Sequence, residues 1–347
     1  MVTDTPNALT PLLPDRHPQH DLFICDVADA VLKDVMAQME HPFYSLSKKP
    51  ETKIRRYEHN GNWLEITPSI KGLATIYDKD ILIYCISQLM AKLKNDERVS
   101  QRVRINSRDL LIFTNRGTAG KDYEALVEAL DRLAGTRIST NIKTANEEHY
   151  ENFGLIDAAS IRRKHGFDGR LLWCEVKLSD WVFNAIRAQE VLTLHRDYFR
   201  LRKPIERRIY EIARKHCGQQ ESWKISLGLL LKKTGSQSPD KRFRQMVRHL
   251  AEHNHLPDYS VSFDAESDVV TFRNRGSMSP SMPAANWEVA LDGDVYHDAR
   301  LAAPGWDIHY LEREWRKWLG ENEIEPKNPA RHFVRFCQSW QERRGSP

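Results

Sequence analysis

The chain has 347 residues, 40% of them hydrophobic, with 52 Lys or Arg against 48 Asp or Glu and a formal charge of +4. That is enough chain for two domains with separate cores, and no apolar run nears the roughly 18 residues of a bilayer span, nor does a basic, then apolar start mark export, so a cytoplasmic protein is expected. Cys25, Cys85, Cys174, Cys217 and Cys337 are far apart and never spaced C-x-x-C, which excludes a disulfide framework or a thiolate zinc site and leaves thiols that mostly pack in cores.

Residues 1 to about 19 hold four prolines and read as a disordered leader. Asp21 to Met39 fits a helix. Strand-like Ile54–Tyr57 and Trp63–Ile66 follow, around the turn His59-Asn60-Gly61-Asn62. Asp78 to Leu93 then places Ile81, Tyr84, Cys85, Leu89 and Leu93 near helical period. Arg102–Ile105 is a short strand, Asn106 caps a short helix, and Lys121 to Leu133 forms a longer one. After Gly135 the period changes to two, over 137–142, 151–161 and 171–176, as antiparallel strands require. Helix, strand, helix, helix, then antiparallel strands is the order of a winged helix domain. Parallel βαβ alternation is absent, which argues against a doubly wound nucleotide-binding fold.

The same order recurs. Ile205 to His216 is a helix, Trp223–Ser226 a strand, Leu227 to Thr234 a helix ended near Gly235, and Ser238 to Leu250 a further helix. Tyr259–Phe263 and Val269–Arg273 close it as a hairpin around Asp264–Asp268. Residues 276–304, rich in Pro, Ser, Ala and Asp, read as a linker. The remainder, 305–347, holds two amphipathic helices, through Trp306, Ile308, Leu311, Trp315, Trp318 and Leu319 and then Phe333, Phe336, Cys337 and Trp340. Helical spacing makes these aromatics the core of a small unit, with Trp306 and Trp340 the better docking candidates. The expected fold is α+β: two tandem winged helix domains, 20–188 and 189–275, followed by a small helical C-terminal extension.

The charge is concentrated in the second of these domains. His195 to Arg275 holds seventeen Lys or Arg against ten Asp or Glu, a surplus of +7, while the rest of the chain carries −3. A local excess of this kind is the footprint of nucleic acid. The helix after Ser238, its expected N-cap, and Pro239, its expected first residue, separates two chemistries. Phe243, Met246, Val247 and Leu250 form an apolar stripe; Lys241, Arg244, Gln245 and Arg248 line the other side, with no acidic residue among them to pair with the cations. This is the build of a recognition helix in the major groove of double-stranded DNA. Arg244 and Arg248 match guanine O6 and N7, and Gln245 matches adenine N6 and N7. Lys241, Arg242, His249, Lys232 and Lys233 suit phosphate, and Arg273 and Arg275 suit backbone or minor-groove contact beside the wing.

Lys121 to Leu133 differs, since Asp122, Glu124, Glu128 and Asp131 would repel phosphate. The first domain is therefore expected not to read bases with this helix. Arg102, Arg104 and Arg108, or Arg162, Arg163 and Lys164, remain candidates for auxiliary backbone contact or are ordinary surface cations. A hydrophobic sheet face there would suit self-association.

Other motifs fail on chemistry. Asn115-Arg116-Gly117-Thr118-Ala119-Gly120-Lys121-Asp122 imitates a phosphate loop but has Asn115 for the first glycine and Asp122 for the magnesium-binding hydroxyl. His253-Asn254-His255 ends a helix without a third ligand, and Glu147-Glu148-His149 reads as a solvated loop. Neither a nucleophile with its base nor a metal cluster can be assembled, so the protein is read as a non-enzyme with no cofactor.

Together with this order of elements, Tyr198-Phe199-Arg200-Leu201-Arg202-Lys203-Pro204-Ile205-Glu206-Arg207-Arg208-Ile209-Tyr210-Glu211-Ile212 resembles the plasmid replication initiators of the RepA class, in particular the group called replication initiator protein A, over roughly residues 20–275. Trp306-Asp307, Leu311–Trp315 and Phe333–Cys337 look like an extension found in some of them. The resemblance implies tandem winged helices that bind repeated origin sequences, called iterons, and bring in the host initiator and replicative helicase. It also implies dimers through the first domain that repress their own promoter, with monomers active at the origin. The rival reading is a winged helix transcriptional repressor without initiator activity, and a third is an origin-nicking enzyme.

Overall fold

A computed structural model describes residues 12–17, 32–47, 49–94, 97–142, 152–163, 171–276, 293–322 and 328–345, with Leu291 and Pro326. It separates into two units, Met1–Ser277 and Met278–Pro347.

The first unit begins with β1 (Lys33–Val35), α1 (Met36–Glu40) and the hairpin β2 (Arg55–His59) and β3 (Asn62–Thr67). Asn60 and Gly61 between these strands have φ of 49° and 77°, the positive pair that a two-residue hairpin loop demands. There follow α2 (Lys79–Lys94), β4 (Arg102–Asn106), α3 (Ser107–Phe113), α4 (Gly120–Gly135), β5 (Arg137–Thr140), β6 (Asn152–Gly154), β7 (Ile156–Arg163), β8 (Leu171–Leu178), α5 (Asp180–Arg187) and β9 (Val191–Thr193). A 3-10 turn, Arg196–Arg200, leads to α6 (Pro204–His216), β10 (Ser222–Ser226), α7 (Leu227–Thr234), α8 (Asp240–His253), β11 (Tyr259–Asp264) and β12 (Val269–Asn274).

Two modules of one topology stand in tandem. In the first, α2 precedes a sheet of order β4-β8-β7 with α3 and α4 between its first strand and its hairpin; in the second, α6 precedes β10-β12-β11 with α7 and α8 in the same place. The first strand pairs with the last in both, which is the winged helix arrangement. The helix after that strand is capped alike: Asn106 accepts from the Arg108 N–H and Ser226 from the Leu229 N–H.

Several expectations need correction. Residues 33–35, expected in a helix, form a strand because they pair with β9, Lys33 opposite Thr193; only Met36–Glu40 is helical, and 21–31 lie outside the described residues. Arg137–Thr140 joins β3 in a separate sheet of order β2-β3-β5-β6, since period-two alternation names a half-buried strand but not its neighbour. Within the expected leader, Leu13 N–H donates to the Arg200 carbonyl at 2.8 Å and Asn115 Nδ2 to the Pro14 carbonyl at 3.1 Å. The expected linker contains α9 (Gly293–Ala302), whose Ala299 is fully buried. With α10 (Ile308–Asn322) and α11 (Pro329–Arg344) it makes the second unit, cored by Leu311, Trp315 and Phe333.

The modules of the first unit meet over α6 through buried ions. Glu211 accepts from Tyr198 Oη at 2.6 Å, lies 2.9 Å from Lys79 Nζ and pairs with Arg208 at 3.0 Å; Lys79 also holds Asp34 at 2.6 Å. Arg207 reaches Asp80 at 2.7 Å, and Arg208 donates to the carbonyls of Met39 at 2.7 Å and Lys233 at 3.0 Å. Gly235, at φ 67°, ends α7 where a Cβ would sit 2.5 Å from Pro42 Cβ, so only glycine allows this approach.

Burial holds His41 and His216 near Glu40 in the neutral form, each lowered from 6.5 to about 4. Between those values the unfolded chain binds protons that the folded chain refuses, so stability is full above 6.5 and falls as pH drops toward 4. Burial raises Asp34 from 3.8 to about 6, which opposes part of that fall. We expect urea midpoints to decrease from pH 7.5 to pH 5, the histidines costing on the order of 2 kcal/mol each by pH 5; an unchanged midpoint would contradict their burial as neutral groups.

Candidate nucleic-acid interface

Helix α8 carries the sequence-predicted site on one side. Phe243 and Val247 are fully buried and Leu250 is 2% exposed, which fixes the opposite side outward. There Lys241, Arg242, Gln245 and Arg248 are exposed, and their side chains have no partner among the described residues. The helix begins one residue later than expected. The Pro239 carbonyl accepts from the N–H groups of Arg242 at 2.9 Å and Phe243 at 3.0 Å, so Pro239 is the cap and Ser238 lies outside. At the far end Asn254 stops it in the left-handed conformation, φ 46°.

Arg244 does not share that freedom. Its Nη1 and Nη2 donate to the two carboxylate oxygens of Asp268 in the β11–β12 turn, and its guanidinium lies 5.8 Å from the Phe263 ring centre. The hydrogen bonds from Arg244 hold the Asp268 carboxyl below its ordinary value. Between Lys241 and His249 the helix has no acid, as its sequence states; Asp240, one turn before Arg244, acts on it only through its charge, and the carboxylate that Arg244 bonds comes from the hairpin. Nothing in the sequence pattern marks Asp268; only the register that sets Val269 opposite Asp264 brings it there.

Among the remaining predicted residues, Lys232 is exposed on α7 and Arg273 is exposed near the end of β12. Lys233 is not a phosphate ligand: it is 5% exposed and its Nζ lies 3.4 Å from Glu40. It follows Leu227 and Leu230 at helical spacing, so it falls on the buried stripe of α7. Arg275 is exposed, and its guanidinium donates to the Asn254 carbonyl at 2.5 Å and to Asn254 Oδ1 at 3.0 Å, which caps the C-terminal end of α8. His249 is exposed, stacked on His253 with ring centres 3.9 Å apart and 3.3 Å from Lys203 Nζ.

The first module presents different chemistry. On α4, Glu124, Glu128 and Asp131 are exposed, and Asp131 pairs with Lys71. The β4-β8-β7 sheet sets cations over an aromatic ring: Arg104 covers Trp173 at 4.3 Å, Arg162 approaches the same ring at 5.8 Å, and Arg102 pairs with Glu175 at 2.8 Å. The Arg163 side chain and all of Lys164 lie outside the described residues, as does Glu147-Glu148-His149.

The unsuccessful motifs are absorbed by structure. Asn115 Oδ1 accepts from the Arg16 N–H at 2.8 Å and Arg116 pairs with Asp80 at 2.9 Å, so the loop between α3 and α4 is occupied by the chain itself. His255 is buried against Glu206 at 3.3 Å. Among the described residues no His, Cys, Asp and Glu cluster could hold a metal, and no helix is long and apolar enough to cross a membrane. Cys85, Cys174, Cys217 and Cys337 are buried free thiols; Cys25 lies outside the described residues. In the second unit Trp315 is 1% exposed, while Trp306 and Trp340 are half-buried against each other at 5.9 Å.

A family model described as Replication initiator protein A matches residues 33–261. A protein of Wigglesworthia glossinidia brevipalpis named "Putative replication protein" is 40% identical over 258 residues, covering 74% of this chain and 94% of that one. Among solved structures, domains 2 and 3 of RctB align with 14% identity and a TM-score of 0.48, covering 69% of this chain and 98% of that chain. The Pi initiator protein, solved in complex with iteron DNA, aligns with 15% identity and a TM-score of 0.41, covering 58% and 90%.

Proposed function

The chain belongs to the replication initiator protein A family, and from that premise we propose that it starts plasmid replication by binding repeated origin DNA through α8. The observation that carries the reading is the unpartnered stripe Lys241, Gln245 and Arg248 on a helix whose other side is buried within a complete winged helix module. Donors without internal acceptors keep their full hydrogen-bonding capacity for a ligand. Arg248 and Gln245 read bases in this proposal; Lys241, Arg242 and Lys232 grip phosphate, and Arg273 touches backbone. In the first module Arg104 and Arg162 add backbone contact, while acidic α4 stays out of the groove. Origin opening draws on binding energy, without a nucleotide cofactor.

The finer parts of the family resemblance also enter as proposals: iterons as the bound repeats, a homodimer through the first module that represses the protein's own promoter, a monomer active at the origin, and capture of the host initiator and helicase. Footprinting on the DNA that flanks the gene should give protections repeated at a regular interval, and a minimal plasmid carrying the gene with that DNA should replicate. Protection at the promoter alone with no replication would favour the repressor. Relaxed circles from supercoiled origin DNA with magnesium or manganese would favour a nicking enzyme.

A further inference from the structure

The turn of the second hairpin reads Asp264-Ala265-Glu266-Ser267-Asp268, three carboxylates where a wing that grips phosphate would carry cations. Asp264 is used inside the turn, accepting from the Glu266 N–H at 3.0 Å and from Ser267 Oγ at 2.5 Å. Asp268 is turned the other way. Its backbone has φ 54°, its carbonyl accepts from the Leu227 N–H at 2.8 Å at the start of α7, and its carboxylate takes both terminal nitrogens of Arg244. The strand register that sets Val269 opposite both Asp264 and Ser226 fixes this position from two sides. Of the two arginines one turn apart on the reading side of α8, Arg248 is unpartnered and Arg244 is neutralised by a carboxylate on a rigid mount.

Resting on the reading of α8 as a DNA-reading helix, we propose that Asp268 is a specificity-determining residue that makes Arg244 blind to the DNA backbone while leaving it able to read a base. A guanidinium has five N–H donors, and a carboxylate across its two terminal nitrogens uses two of them. The pair carries no net charge, so the phosphate field does not attract it, and placing it on a phosphate would set two anions against one cation. Guanine O6 and N7 are neutral acceptors, and the donors that remain on Arg244 serve them without that penalty. The half-exposed setting, with 34% of the Arg244 side chain and 44% of the Asp268 side chain accessible, leaves those donors reachable.

The test compares the full-length protein with Asp268→Asn by fluorescence anisotropy, at several salt concentrations, on a duplex of the gene-flanking repeat and on a scrambled duplex of equal length. Asparagine is tolerated at positive φ, so the turn survives the change. With the carboxylate charge gone, Arg244 becomes a phosphate ligand. The scrambled duplex should bind about tenfold tighter, with a salt slope steeper by about one, while the repeat gains little, so discrimination falls about tenfold. Adding Arg244→Ala to that variant should remove the gain on the scrambled duplex. Glu266→Gln deletes the same charge from the turn without touching Arg244 and should leave the discrimination ratio where it was. An undiminished ratio in Asp268→Asn, or an equal fall in Glu266→Gln, overturns this inference alone. If the unaltered protein shows no preference for the repeat, the DNA-reading proposal itself fails and this inference with it.

Discussion

Replacing Glu211 with alanine should lower the free energy of unfolding by about 3–5 kcal/mol, the scale for removing one partner from a buried ion cluster. Glu211 is fully buried, and three donors converge on it: Lys79 Nζ at 2.9 Å, Arg208 Nη1 at 3.0 Å and Tyr198 Oη at 2.6 Å. Its loss leaves two cations in a low-dielectric interior, Lys79 with Asp34 and the Tyr44 ring and Arg208 with backbone carbonyls, and no second carboxylate between them among the described residues. The exposed pair Lys71–Asp131 provides the contrast, since its side chains are 53% and 44% accessible and Lys71→Ala should cost less than about 1 kcal/mol. Urea unfolding of the two variants under one condition measures both. Equal small losses would mean that Glu211 is not the hub that its contacts describe.

Arg248→Ala should weaken binding to the matched repeat by about 1–3 kcal/mol more than binding to scrambled duplex, because a bidentate base contact carries discrimination beyond the bulk attraction that any unpaired cation supplies. Lys232→Ala should act differently, weakening every duplex alike and flattening the salt slope by about one. Arg248 is the stronger choice for this test than Arg244, whose truncation also breaks the Asp268 pair and disturbs the hairpin turn. Gel-shift titrations on matched and base-substituted sites read the difference. Parallel losses for Arg248→Ala on both kinds of site would remove it from the base-reading set.

Much of this architecture was legible because periodicity reports burial directly. The stripe Phe243, Val247, Leu250 named the inner face of α8, the Asn60-Gly61 dipeptide named its hairpin, and the repeated order of helices and strands named two modules. What was not legible depended on contacts distant in sequence. Asp268 meets Arg244 through strand register, Lys33–Val35 becomes a strand because β9 lies beside it, and Arg137–Thr140 serves a sheet that local alternation cannot assign. Lys233 was an error of a different kind, since the spacing from Leu227 and Leu230 already placed it on the packed side of α7. The segment from Tyr198 to Ile212 carried the family resemblance; its Tyr198, Arg207, Arg208 and Glu211 join the modules at a buried seam.

That seam orders events during synthesis. Lys79 and Asp34 leave the ribosome well over a hundred residues before Glu211, and β1 well before the β9 that pairs with it. Translation delivers residues at roughly 5–20 per second, so the upstream half of the seam precedes Arg207, Arg208 and Glu211 by several seconds. Neither the ionic cluster nor the β1–β9 pairing can be completed before that, so the two modules gain their final cohesion only when α6 arrives.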